Sequence, residues 1–198
     1  IRSKEMQQLT TQKGTRTYRA STVMMVICSL LCASCTEQHG SPQANDVLSA
    51  PAKAREAADR VLTALQTKDG KQLASMVHPK KGVRLSPSAY VNLAEDLVFM
   101  RDQAEGFWTD TKTYLWGYAE GSGDPIEMIP ADYAKLYILD RNFSNASSVN
   151  INDDQAQGTT RNNAGEAYPT ATRIEYYIEP SAGESKGGSD WAALRLVF

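Results

Sequence analysis

An α+β domain is what this sequence predicts, with N-terminal helices packed on a curved antiparallel sheet. Three patterns carry the prediction. Ala54, Ala57, Ala58, Val61, Leu62 and Leu65 recur at three- and four-residue spacing, the mark of a single apolar helix face. Near the end, TRIEYYIE (Thr172–Glu179) and WAALRLVF (Trp191–Phe198) are rich in β-branched and aromatic residues and flank a Gly/Ser-rich stretch. Midway, TYLWGY (Thr113–Tyr118) and Ile126–Ile129 flank the turn sequence Glu120–Pro125, which reads as a hairpin.

The chain opens with a segment of different character, Val23–Cys35, reading VMMVICSLLCASC. Its apolar run Val23–Leu31 is about 9 residues, the length of a signal-peptide core and about half a bilayer span. Lys4, Lys13, Arg16 and Arg19 precede it, with Glu5 the only acid, which gives the positive flank of an export leader. Met6 is a workable start for such a leader. Ala33 and Ser34 directly before Cys35 resemble a bacterial lipobox. The position three before the cysteine, usually leucine in that motif, is Cys32 here.

The resemblance implies that residues 1–34 are a lipoprotein signal peptide. Cys35 is then the lipid attachment site and the mature N-terminus, carrying a diacylglycerol and palmitate-type acyl chains. The protein is held at the extracytoplasmic side of the cell membrane. Two acyl chains anchor stably where one does so only marginally, at about 0.8 kcal/mol per buried CH₂. An ordinary secretory leader cut near Ser34 and an uncleaved anchor over the uncharged Ala20–Thr36 stay open. All three export the remainder of the chain. Lipidation accounts for every cysteine, since Cys28 and Cys32 leave with the leader.

Charge divides the chain at the same place. Through Cys35 the net charge is +4, and beyond it −6, within a total of −2. An acidic exported part argues against nucleic acid as a partner. About 163 residues lie beyond Cys35, enough for one domain with a core. Residues 35–48, polar with Gly40 and Pro42, read as a flexible tether containing His39, and 49–198 as the single α+β domain.

In order, Ser49 is a reasonable N-cap and Pro51 lies in the first turn of a helix from Ala50 to Lys68. Asp69-Gly70 ends it. A short second helix carries Leu73, Ala74, Met76 and Val77, closed by His78-Pro79. Val83–Leu85 and Leu97–Met100 read as short strands, and Arg101–Trp108 as a short helix. Pro130–Leu139 is a helix with proline at its start. Asp140–Ala167 is long and polar, a surface loop with a short strand at Val149–Ile151. The chain stops inside its last strand, so the expectation is of further C-terminal residues.

The order of two helices, strands, another helix and a final hairpin resembles the NTF2-like (cystatin-like cone) superfamily, and VLTALQTKDGKQLASMVHP has the form in which such domains often begin. VHPKKGVRLSP, LWGYAEGSGDPIEM and WAALRLVF resemble segments of an uncharacterised family of bacterial lipoproteins, over about Val61–Phe198. Those motifs carry no known chemistry, so the resemblance transfers no catalytic residues.

Beyond the tether His78 is the one histidine, and no cysteine pair or HExxH is present, so no metal or cofactor is expected. GxSxG and GxxxxGK[ST] are absent. His78 at a helix end suits capping or packing. It is also the candidate acid/base of a small cone-cavity enzyme, with a carboxylate to orient it. Strand alternation sends Tyr114, Trp116 and Tyr118 to one side of the sheet, either packed on the helices or lining a ligand mouth. Trp108, Trp116 and Tyr118 are the candidate ligand-binding residues. The favoured role is non-catalytic, binding a small ligand, a cell-wall component or an envelope protein. The alternatives are the His78 enzyme and an interaction surface on the loop Asp140–Ala167.

Overall fold

The computed structural model describes residues 22–27, 44–153, 161–180 and 190–198. Most of the expected leader, Cys35, residues 35–43 of the expected tether, and 181–189 lie outside the described residues. The elements run β1 (Thr22–Ile27), α1 (Ala44–Gln66), α2 (Gly70–Met76), β2 (Val83–Ser86), β3 (Leu97–Phe99), α3 (Arg101–Glu105), β4 (Tyr114–Tyr118) and β5 (Pro125–Met128). Next come α4 (Pro130–Tyr133), a π-helical turn Ala134–Ile138, a 3₁₀ turn Phe143–Asn145, β6 (Ser148–Ile151), α5 (Ala164–Ala167), β7 (Arg173–Ile178) and β8 (Ala192–Val197). The fold is α+β.

One sheet has the order β3-β2-β1-β8-β7-β6, and β4–β5 form a separate hairpin. The β7–β8 hairpin expected from the sequence is paired from Arg173↔Val197 to Ile178↔Ala192. β1 lies inside the sheet, antiparallel to β2 and parallel to β8. Thr22, Val23, Val26 and Ile27 are β-branched, which suits a pleated, buried strand. An uncharged apolar run satisfies an export leader equally well. The sequence pattern places these residues in the leader, whereas in the folded chain they are a strand.

α1 begins at Ala44, earlier than the boundary expected at Ala50, and takes Pro51 into its interior. A proline removes one i→i−4 bond, and the many turns beyond it carry the helix. The part of the expected tether over residues 44–48 is therefore helical. Ala54, Ala57, Ala58, Val61, Leu62 and Leu65 are all buried, as their spacing predicts. All of them but Ala57 join Leu73, Val83, Leu85, Ile174, Tyr176, Leu194 and Leu196 in the main core, which also takes in Met25 of β1. Burying a side chain of this size is worth about 1.5–3 kcal/mol.

The opposite face of the sheet has its own small cluster of Val91, Ala164 and Val197. Asn163 holds that cluster together. Its Oδ1 accepts from the Val91 amide at 2.7 Å, and its Nδ2 donates to the Val91 carbonyl at 3.0 Å. The described residues of the stretch 140–167 are thus more than the surface loop their polarity suggests. Phe143 and Ala164 within it are buried, and the short strand expected there is β6.

Alternation fails in β4. Gly117 has φ 141° and the register with β5 shifts between Leu115 and Tyr118. A bulge at a glycine turns the following residue to the other face. Trp116 is therefore 1% exposed and Tyr118 59%.

α2 and α3 meet at Gly70, where a Cβ would stand 2.0 Å from the Glu105 carbonyl oxygen. The obstacle is backbone and cannot swing aside. Gly70→Ala should cost about 1–3 kcal/mol by overpacking, read as a lowered urea midpoint with an unchanged slope.

Candidate functional site

Arg55, Asp59, Leu62 and Gln66 lie along one face of α1, at the edge of its apolar stripe. Across from them β7 presents Tyr176, and the 3₁₀ turn presents Phe143 and Ser144. Between these elements is an open groove of about 250 Å³. Leu62, Phe143, Val149 of β6 and Tyr176 supply its apolar lining.

Asp59 organises the rim. The Tyr176 hydroxyl donates to Asp59 Oδ1 at 2.6 Å. Arg55 Nε donates to both carboxylate oxygens, at 3.1 and 3.0 Å. The Arg55 guanidinium stands 5.4 Å from the Tyr176 ring centroid, within cation–π range. Burial, and then the Asp59 charge, push the Tyr176 phenol well above its ordinary range. It therefore stays a protonated donor. At the far end Gln66 Nε2 donates to Asn142 Oδ1 at 3.1 Å and to Ser144 Oγ at 2.9 Å. Asn142 also caps its own turn, accepting from the Ser144 amide. The groove thus sets apolar side chains beside a rim of fixed donors and acceptors.

The residues singled out from sequence lie elsewhere. His78 is 7% exposed, and its Nδ1 accepts from the amides of Lys80 at 3.1 Å and Lys81 at 2.9 Å. The ring thus accepts from two backbone amides and pins the turn before β2. Among the described residues no carboxylate is hydrogen-bonded to it.

Trp116 is in the core, stacked on Tyr133 with centroids 3.8 Å apart and planes 8° from parallel. Its Nε1 donates to the Met128 carbonyl at 2.9 Å. Trp108 is partly buried, edge-on to Phe107, with the Lys68 ammonium 5.9 Å from its ring. Tyr118 points to solvent. The three do not share an opening, because the bulge at Gly117 separates Tyr118 from Trp116. Cys35 lies outside the described residues.

Sequence reasoning missed the groove because Arg55 and Asp59 at i and i+4 read as an ordinary surface ion pair. Only the long-range arrival of Tyr176 and Phe143 makes them a rim. Among the described residues no three His, Cys, Asp or Glu side chains are placed to hold a metal ion, and no helix is long and apolar enough to cross a membrane. No family model, curated protein or solved structure matches the chain.

Tyr176→Phe should lower stability by about 1 kcal/mol, the low side for a bond to a charged acceptor, since the Asp59 side chain is 51% exposed. A double-mutant cycle with Asp59→Asn should show that the two losses are one. Asp140, just beyond the π-helical turn, gives a pH signature. Its Oδ1 is buried without a partner, and burial raises its carboxyl to about 6 from 3.8, against a weak opposing pull from Arg141. A raised acid favours the protonated fold, so its contribution is complete below pH 3.8. It declines as pH rises to about 6 and is flat above that. Asp140→Asn should therefore stabilise the fold at pH 7 by on the order of 1–3 kcal/mol. At pH 3.5 the gain should vanish, as urea unfolding at the two pH values would measure.

Proposed function

We propose that this chain is a bacterial lipoprotein, held at the outer side of the cell membrane through Cys35, whose domain binds without catalysing. The binding reading is carried by the groove around Asp59, where the Tyr176 hydroxyl and the Arg55 guanidinium converge on one carboxylate beside apolar side chains. A ligand with one apolar face and several hydroxyl or amide groups fits that chemistry, as a cell-wall fragment would. The anchor is supported by the basic flank, the apolar run and the small residues before Cys35. The order of α1, α2 and a sheet closed by the β7–β8 hairpin supports an NTF2-like domain.

Cleavage before Cys35 would remove β1 from the chain. The sheet of the full chain is then that of the precursor.

Two measurements test the proposal. Intact mass of the protein isolated from bacterial membranes should show a chain beginning at diacylglyceryl-Cys35. An unmodified Cys35, or cleavage elsewhere, overturns the anchor. Soluble peptidoglycan fragments should raise the melting temperature of the wild type and not of an Arg55→Ala, Asp59→Ala double variant. No shift in the wild type, or an equal shift in both proteins, overturns the groove as the binding site.

A further inference from the structure

β1 is an interior strand whose removal leaves a defined vacancy. It is paired with β2 from Met24↔Ser86 to Ile27↔Val83, and with β8 from Thr22↔Ala193 to Val26↔Val197. β2 and β8 stand on either side of it, and neighbouring strands are about 4.8 Å apart, so the two edges face each other across about 10 Å. That is too far for them to bond directly and wide enough for one strand. Met25, 1% exposed, reaches the main core between Leu85 and Leu196.

Position 24 shares the other face of the sheet with its register partner Arg195. Arg195 is 2% exposed and gives one nitrogen, Nη2, to Glu175. Its Nε and Nη1 are buried without a hydrogen-bond partner. A buried guanidinium with two idle donors is costly, and methionine at position 24 brings only a weak thioether acceptor.

We propose that in the processed protein the place of β1 is a strand-acceptor site for an extended segment of another envelope protein, one that carries an acidic residue in register with Arg195 and an apolar residue in register with Leu196. This rests on the reading that the chain is cut before Cys35. The vacated edges supply main-chain hydrogen bonds from both sides. Arg195 supplies the charge complement that selects the acid, and the gap between Leu85 and Leu196 selects the apolar neighbour. The leader strand fits the second position and fails the first, so it is a replaceable occupant.

The test has three arms. N-terminal mass determination of the membrane-isolated protein reads the cleavage itself. A retained leader defeats the underlying reading, whatever the other arms give.

In the full chain with cleavage blocked by Cys35→Ser, Met24→Glu should raise the melting temperature, and Met24→Leu should not. A fall with glutamate overturns the acid preference without touching the anchor.

Finally, the processed protein is titrated with the hexapeptide of Thr22–Ile27 and with the same peptide bearing Met24→Glu. The glutamate peptide should bind at least tenfold more tightly and should slow hydrogen exchange at the amides of β8. Equal binding, absence of protection in β8, or a processed protein that is already a dimer through this edge overturns the proposal.

Discussion

Every residue of β8 is buried, and the remaining architecture comes from covering this one strand on all sides. Leu194 and Leu196 face the main core, to which the alanine-rich stripe of α1 also belongs. Val197 faces the opposite way, where Val91 and Ala164 meet it under the clamp of Asn163. The edges of β8 are taken by β7 and β1. A strand enclosed in this way reads as a continuous apolar run, and WAALRLVF does so with one interruption.

The interruption is Arg195. Its partner Glu175 lies directly across in the register, and burial raises the Glu175 carboxyl against the pull of the guanidinium. A buried ion pair adds little net stability, yet removing one member costs about 3–5 kcal/mol, because the other is left charged in a dry site. The pair also fixes register. A one-residue slip of β7 on β8 would separate the charges and turn Ile174 and Tyr176 to the wrong face.

Much of this was legible because it is local. The α1 stripe, the strands of β7 and β8, and the strands at Val83, Leu97 and Tyr114 each come from spacing within a dozen residues. What was not legible depends on distant partners. Trp116 and Tyr118 part company through the backbone of Gly117, which no alternation rule anticipates. Phe143 and Asn163 sit in polar company, and only their arrival against α1 and Val91 makes them core. Arg55 and Asp59 look like a solvated pair until Tyr176 donates to the same carboxylate. Thr22–Ile27 shows the limit most plainly, since the demands of a membrane-bound leader and of a central strand are met by the same uncharged, β-branched residues.

The parallel pairing of β1 with β8 joins residues about 170 apart in sequence. Contacts of that span form late, because the loop entropy must be met before the bonds form. They also wait on synthesis. At about 5–20 residues per second, roughly 10–30 s separate the appearance of Val26 from that of Val197. Throughout that interval β1 has no β8 to join. The topology of the sheet therefore acts as a clock, in which the place of β1 within the sheet opens only when the last strand has been made.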